Sequence, residues 1–439
     1  MPDVHINLSV VPLARMSLKA NLHSMVNKPA NRVVITGLGV VSPLGLDAPA
    51  TWEGLIQGRS GIGPITRFDA SDFASRIGGE VKNFDPLKFL APKEARRMDR
   101  FAQFAVVAAR EALSNSGLVV DSSNKSAVGA IIGSGIGGID TFFEQTKILL
   151  QSGPDRVSPF IMPMMTSDMA AAQVSLNLGL KGINFSISSA CATGTDALGI
   201  AFDLIRTGQI PVMLAGGTEA AVNPVAVAGY AALKALSTRN NNPETASRPF
   251  DATRDGFIIS EGAAILMLEE LNHATGRGAC IIAEIIGYGA TADAFHITHP
   301  AEDGEGGVRA MQMALRDAEI LATDIGYINA HGTSTAINDR TETNAIKQVF
   351  ADYAYSLPVS STKSMTGHLI GAAGALEACV CALVIRDGII PPTINLLHPD
   401  PECDLDYVPD KARRAAVRTA MSNSFGFGGR NSTVILRSI

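Results

Sequence analysis

The apolar positions of this chain follow two spacings. Ala127 to Gly133 and Val212 to Gly217 are short, nearly continuous apolar runs bounded by turn residues, the pattern of buried strands. Arg100 to Leu113 instead carries Phe101, Phe104, Ala105, Ala108 and Leu113 at helical spacing. Ile183 to Ile187 reads as a further β-prone run, and Ala197 to Ile205 as a helix of small and apolar residues behind it. Leu369 to Ile385 is the longest helix-like segment, its apolar run broken by Glu377. Short strands alternating with longer helices predict an α/β protein with helices covering its sheets.

The pattern repeats along the chain. Ile35 to Val40 resembles Ile285 to Ala290. Ile187 to Cys191 resembles Val359 to Lys363. Each leads through a small-residue helix to a matching end, Ile205-Arg206-Thr207-Gly208-Gln209-Ile210-Pro211 or Ile385-Arg386-Asp387-Gly388-Ile389-Ile390-Pro391. A weaker pair is Val128 to Gly135 with Ile325 to Gly332. The order is the same in both halves, so a duplicated α/β unit is expected, its halves meeting near residue 280. A twofold relation would bring equivalent junctions together, and this alignment makes Cys191 equivalent to Lys363.

Composition narrows the class. The 439 residues exceed one core of ordinary size and predict two or three domains. Lys+Arg 36 against Asp+Glu 42 leaves a net charge of −6, which implies no general affinity for nucleic acid or membrane surfaces. No uninterrupted apolar run is long enough to span a bilayer. Five cysteines are too few for a disulfide framework. Cys379 and Cys381 diverge at helical spacing, so neither a structural metal nor a cofactor is called for. A reduced, cytoplasmic setting fits. Residues 1–31 are basic and acid-poor, with Arg15, Lys19 and Lys28 against Asp3. They read as an unstructured tail or an over-called start, Met16 and Met25 being other starts. The alternative is a plastid or mitochondrial transit peptide.

The candidate chemistry centres on Cys191, in Ser188-Ser189-Ala190-Cys191-Ala192-Thr193-Gly194. A cysteine between a strand and a helix meets outward N–H groups and the positive end of a helix dipole, which predicts a lowered thiol pKa. His331 and His368 occupy similar junctions, in Asn329-Ala330-His331-Gly332-Thr333 and Lys363-Ser364-Met365-Thr366-Gly367-His368. His368 opens a helix-like run and is expected to be neutral, able to donate from one ring nitrogen. One nucleophile and two imidazoles point to covalent acyl chemistry.

Three further motifs admit plainer readings. Gly133-Ser134-Gly135-Ile136-Gly137-Gly138 matches G-x-G-x-x-G after a strand, but no second dinucleotide-binding half accompanies it. A flexible backbone beside a substrate pocket, with Ile136 as a wall, fits better. His296 and His299 with Asp293 resemble a metal set, yet read as a cleft-lining loop. Ser422-Asn423-Ser424-Phe425-Gly426-Phe427-Gly428-Gly429 is either a hairpin turn or a close backbone approach. An N–H there would pair with the Cys191 N–H as an oxyanion hole.

Taken in order, Cys191, His331, Lys363, His368 and the Gly-Phe-Gly-Gly loop resemble the β-ketoacyl-[acyl carrier protein] synthases, above all the elongating type II enzymes. The likeness runs from about Arg32 to Ile439. It includes Val33-Val34-Ile35-Thr36-Gly37, Ala190 to Gly194, Asn329 to Thr335 and Asn423 to Gly429. The resemblance implies a thiolase-like fold of two similar halves in αβαβα layers, residues 32–280 and 281–439, and a homodimer. It implies acylation of Cys191 from an acyl carrier protein, decarboxylation of malonyl carrier, and carbon–carbon bond formation to 3-oxoacyl carrier. His331 and His368 would donate to the enolate oxygen, and the Cys191 and Phe427 N–H groups would hold the tetrahedral oxyanion. Lys363 would act by charge, with Glu377 as partner. Phe427 would gate the cleft and Ile136 limit the acyl pocket. Thr333 and Thr335 would hold the pantetheine arm, and Phe425, Gly426 and Gly428 would border the substrate. Lys93, Arg96, Arg97, Arg156 and Lys234 are the expected carrier dock. Arg430 departs from the small or neutral residue usual after the glycine pair and is expected to pair with a carboxylate or alter gating. A polyketide or specialised-lipid ketosynthase is the enzymatic alternative. A non-catalytic carrier-binding partner is the other, and Cys191 argues against it.

Overall fold

The structure is a computed structural model and describes residues 30–439 except Glu302. Residues 1–29, most of the expected leader or tail, lie outside the described residues. Ten strands form one large sheet. They are β1 (Val33–Val41), β2 (Val128–Gly133), β3 (Asn184–Phe185), β4 (Val212–Ala220) and β5 (Glu261–Glu270), then β6 (Ala283–Ala292), β7 (Tyr327–Asn329), β8 (Val359–Ser360), β9 (Thr419–Gly426) and β10 (Arg430–Arg437). Their order in space is β8-β7-β9-β10-β6-β1-β5-β4-β2-β3. Read outward from the β1–β6 junction, the two arms are the same arrangement. Each has two antiparallel pairings near the centre and two parallel ones at the edge.

The junction shows the twofold in its register. β1 and β6 pair antiparallel, Val33 with Ile285 and Ile35 with Ala283, about a centre at Val34 and Glu284. The main helices repeat in the same way. They are α1 (Arg100–Ser116), α2 (Met169–Leu178) and α3 (Thr193–Arg206), then α4 (Glu305–Asp317), α5 (Ala336–Phe350) and α6 (Ala373–Asp387). α1 and α2 cover one outer face, α4 and α5 the other, while α3 and α6 pack together between the arms. This is the αβαβα layering. The three largest cores lie under α1, under α4 and α5, and centrally around both α3 and α6, with two smaller clusters beside them. Apolar burial of this extent is the main drive for assembling the layers. Cys379 and Cys381 are small core residues of α6.

Glycines explain two of the sequence repeats. A Cβ on Gly37 or Gly39 of β1 would lie 2.1 or 1.8 Å from a carbonyl oxygen of α1. On Gly287 or Gly289 of β6 it would lie 2.4 or 2.3 Å from one of α4. The repeated Gly-x-Gly therefore lets helix backbone rest directly on strand backbone. Likewise, a Cβ on Gly194 would lie 2.6 Å from the Ala375 nitrogen, and one on Gly374 2.1 Å from Thr195 Oγ1. That pair brings the first turns of α3 and α6 into contact.

The structure departs from the expected Ile183–Ile187 strand. Only Asn184 and Phe185 pair, at the sheet edge, and Phe185 is 40% exposed. Ile183 and Ile187 pack against the margin of the central core, while the paired residues between them stay exposed because β3 has a described neighbour on one side only. No helix among the described residues is long and apolar enough to cross a membrane. Gly39→Ala and Gly289→Ala are each expected to lower stability by about 2–3 kcal/mol through overpacking against backbone. Urea unfolding midpoints check this, and wild-type midpoints for both variants would contradict the close-approach account.

Candidate active site

Cys191 sits in a 3-10 turn, Ala190–Ala192, that runs into α3. Ala190 has φ +52, a left-handed conformation costly for a residue with a Cβ. The Thr193 hydroxyl braces the turn by accepting from Ser189 N–H at 2.9 Å and donating to the Ala190 carbonyl at 2.7 Å. In the second half the turn Ile370–Ala372 leads into α6, and Ile370 has φ +49. Counting back from the matching Arg206 and Arg386, Cys191 falls on Gly371. The expected equivalence of Cys191 with Lys363 is therefore wrong. Lys363 and His368 belong to a longer stretch between β8 and the second turn, which a match anchored on the strand cannot register.

That longer stretch delivers the remaining reacting groups. Sulfur and imidazole atoms of Cys191, His331 and His368 lie within 4.8 Å of one another. The two rings stand nearly perpendicular, centroids 5.3 Å apart. His331 follows β7, and Glu342 of α5 holds its backbone by accepting from the His331 and Gly332 N–H groups, both at 2.8 Å. Lys363 Nζ lies 3.4 Å from His331 Nδ1. An ammonium only donates, so Nδ1 is the acceptor and the ring proton resides on Nε2. His368 Nδ1 accepts from the Ile370 N–H at 3.2 Å, which assigns its proton to Nε2 as well. That Nε2 is buried with no partner among the described residues. Burial first, then the Lys363 charge, hold both imidazoles well below the usual histidine range. His368 is thus neutral as expected, but through burial and Lys363. The site has two neutral Nε2–H donors beside one sulfur.

Lys363 pairs with Glu377 in the middle of α6, both side chains almost wholly buried. Glu377 does not break the helix; its charge is met inside the core. Burial still pushes its carboxyl up to about 7 against the pull of Lys363.

The expected low thiol pKa is overturned. Cys191 is only 9% exposed, and burial pushes its thiol up to about 11. The Phe427 N–H, the Lys363 charge and the cysteine's own N–H pull the other way, while Glu219 adds to the rise. Desolvation outweighs the helix terminus because the sulfur is shut from water. The resting nucleophile is a thiol, surrounded by donors that favour its anion.

The glycine-rich loop after β2 does hold an acidic group, but an internal one: burial pushes its carboxyl up to about 7, while the hydrogen bonds it accepts favour the anion. Ser134 Oγ at 2.8 Å and the N–H groups of Gly135 at 2.8 Å and Ile136 at 3.2 Å donate to the buried Glu219 carboxylate. Ile136 does not border the cleft. It packs against the buried cluster that includes Ile370 and Phe257, both of which do.

The cleft encloses about 300 Å³. Thr333, Thr335, Phe425, Gly426 and Phe427 line it beside the three reacting residues. The two threonine hydroxyls are 2.9 Å apart. Gly428 faces away, donating to the Ile297 carbonyl at 2.7 Å. His299 and Asp293 border the mouth, with His296 Nδ1 3.1 Å from His299 Nδ1. Asp293 instead accepts from Asn431 Nδ2 at 2.6 Å and the Ala301 N–H at 3.2 Å. Arg430 donates to the Ser188 carbonyl at 3.2 Å, and no carboxylate among the described residues pairs with it. Lys234 is exposed on the cleft rim. Lys93, Arg96, Arg97 and Arg156 are exposed but do not line the cleft, and Arg97 covers the Phe160 ring at 4.7 Å.

Sequence reasoning missed Tyr230, Phe257, Glu219 and Glu342. The Tyr230 ring closes the cleft against Phe257 and Phe427, centroids 5.4 and 6.2 Å away, and Phe257 stands edge-on to His368 at 5.4 Å. Glu219 follows Gly216-Gly217 inside an apolar strand, a buried carboxyl that the strand pattern could have flagged; Tyr230, Phe257 and Glu342 stand in no nucleophile motif.

The family description "Beta-ketoacyl synthase, N-terminal domain" matches residues 30–274, and "Beta-ketoacyl synthase, C-terminal domain" matches residues 282–397. The chain is 52% identical over 413 residues to the 3-oxoacyl-[acyl-carrier-protein] synthase 2 of Synechocystis sp., covering 94% of this chain and 99% of that one. It is 52% identical over 408 residues to the protein of the same name from Coxiella burnetii, covering 93% and 99%. Among solved structures it is similar to a beta-ketoacyl synthase from Burkholderia phymatum, with TM-score 0.87, 38% identity, and coverage of 93% and 100%. It is also similar to a chain of a type II PKS acyl-carrier protein complex with its ketosynthase, with TM-score 0.85, 36% identity, and coverage of 93% and 100%.

The raised thiol pKa has a direct consequence. With the thiol raised well above its usual range by burial, little of Cys191 is ionised at pH 8 and the anion grows with each further pH unit. Iodoacetamide alkylation of Cys191 is expected to accelerate with pH through 8, 9 and 10. A rate already flat by pH 8 would contradict the buried-thiol account.

Proposed function

The chain belongs to the β-ketoacyl synthase family, and from that premise we propose that its cleft performs the decarboxylative Claisen condensation of type II fatty acid elongation. It is an acyl-transferring condensing enzyme that uses acyl carrier protein, the activity named in relatives 52% identical over nearly their whole length. The observation that carries the residue assignment is the convergence of one thiol and two neutral imidazoles, a ring nitrogen of each lying with the sulfur inside 4.8 Å.

The chemistry runs in two halves. Cys191 sulfur attacks the carrier thioester; a carbon–sulfur bond forms to Cys191 and another breaks to the pantetheine sulfur, which leaves with the thiol proton. The Cys191 and Phe427 N–H groups are the donors for the tetrahedral oxyanion. The helix terminus and those same donors favour sulfur anion as it develops. Malonyl carrier then binds, and loss of carbon dioxide leaves an enolate. Its oxygen accepts from Nε2–H of His331 and His368, and neutral donors stabilise it without trapping it as an ion pair. The enolate carbon attacks the acyl-Cys191 carbonyl, the carbon–sulfur bond to Cys191 breaks, 3-oxoacyl carrier departs, and the expelled thiolate takes one proton from solvent to regain the thiol. Lys363 is the positioning charge: it assigns the His331 tautomer and keeps both rings neutral. Thr333 and Thr335 are suited to the pantetheine amides, and Phe427 and Tyr230 to closing over the acyl chain.

Several finer readings go with this one. Residues 32–280 and 281–439 act as two halves of one unit. Carrier docking begins at Lys234 on the rim and extends over Lys93, Arg96, Arg97 and Arg156. A homodimer is favoured by the free edge of β3, with Phe185 exposed, and by Phe142, Leu149, Leu150 and Phe160 exposed on nearby segments. None of the five cysteines is bonded to another, which suits a reducing cytoplasm. The polyketide reading is the weaker one, since the synthase 2 relatives are 52% identical and the polyketide ketosynthase neighbour 36%.

Mass spectrometry of Cys191 and carbon dioxide release from malonyl carrier test the two halves separately. Cys191→Ala is expected to abolish acylation and elongation, whereas Cys191→Gln retains decarboxylation. His331→Ala and His368→Ala are each expected to slow decarboxylation about a hundredfold or more, as for loss of one oxyanion donor. Elongation by Cys191→Ala, or undiminished carbon dioxide release by both histidine variants, would end this assignment.

A further inference from the structure

The pseudo-twofold exposes an asymmetry between the two turns. Cys191 and Gly371 are counterparts, so their N–H groups are counterparts too. The Cys191 N–H has no backbone acceptor among the described residues and faces the sulfur and the cleft. The Gly371 N–H donates to Glu219 Oε2 at 3.1 Å. The same carboxylate takes Ser134 Oγ and the N–H groups of Gly135 and Ile136. Four donors thus converge on a side chain with no exposure at all. No space is left beside it. A Cβ on Gly371 would lie 2.7 Å from Glu219 Oε2 and 2.5 Å from the Gly135 nitrogen.

This loop also underlies the nucleophile. A Cβ on Gly133 would meet Thr193 at 2.2 Å, and one on Gly135 would come within 3.7 Å of the Ala190 carbonyl. The two 3-10 turns touch each other. Glu219 is therefore hydrogen-bonded to one strained turn and to the loop beneath the other. Both turns hold a non-glycine residue at positive φ, a conformation that persists only where surroundings over-determine it.

We propose that Glu219 is a positioning residue, an internal anion that plugs the second half's counterpart of the oxyanion hole and so holds the turns carrying Cys191 and Ile370 in shape. It touches no substrate. The fold has two anion holes related by its twofold: one open to the cleft, one filled by this carboxylate. The inference rests on Cys191 being the acylated residue only for its catalytic consequence.

Chemical rescue tests it. Glu219→Ala leaves four donors around a space of carboxylate size, which formate fits and formamide, lacking the charge, does not satisfy. Glu219→Gln keeps the volume but turns two acceptor positions into an amide donor. Glu219→Ala is expected to melt at least about 5 °C lower than wild type, with a saturable rise in formate and none in formamide. Acylation of Cys191 in Glu219→Ala is expected to slow about tenfold or more and to recover partly with formate. Glu219→Gln is expected to fold and to acylate several-fold slower, with no formate response. Wild-type acylation by Glu219→Gln, or a Glu219→Ala melting curve that formate and formamide move equally, would overturn the proposal. If Glu219→Ala does not fold, the Glu219→Gln rate decides. Formate-dependent melting involves no acylation, so failure of the condensing reading leaves that arm intact.

Discussion

Two helices touch at their first turns, and the contact requires glycine on both. A methyl group at Gly194 or Gly374 would sit inside van der Waals distance of the other helix. Because α3 and α6 meet there, the turns before them meet as well, and every reacting group hangs on those turns or on the segments beside them. Cys191 comes from the first half; His331, Lys363 and His368 come from the second. The site is thus a property of the seam between two copies of one unit.

Burial at that seam decides the electrostatics. In water a thiol near a helix terminus would lose its proton more easily, and a histidine would be partly charged at neutral pH. Here desolvation is the leading influence on all three groups, and it acts against each charged form. The Lys363 charge, itself balanced by Glu377, keeps the imidazoles neutral and lowers the cost of sulfur anion at once. One buried cation therefore serves both halves of the reaction. A lysine so placed would be costly without Glu377, and removing either partner alone leaves an uncompensated buried charge worth about 3–5 kcal/mol.

Much of this was legible in the chain. The strands at residues 127–133 and 212–217 and the helix from Arg100 carry clear spacing, and the structure extends the last to Ser116. The Gly-x-Gly repeats pointed to duplication, and their physical cause is strand-to-helix contact. Other features were hidden for identifiable reasons. The stretch holding Lys363 and His368 lengthens one half only, so a strand-anchored match equated Cys191 with Lys363. The apolar run at Ile183 gave no sign that its strand is an edge. The glycine loop looked like a phosphate cradle because it is one in chemistry; the anion it holds, Glu219, lies far along the chain. Thiol ionisation depends on burial, which local sequence does not report.

The central claim is that both imidazoles are neutral and present Nε2–H to the substrate oxygen. Nitrogen-15 NMR of the histidine-labelled protein at pH 7, with His331→Ala and His368→Ala variants to assign the signals, reads this directly. The account predicts that both residues are neutral with the proton on Nε2. An imidazolium at either position, or a proton on Nδ1, would contradict it.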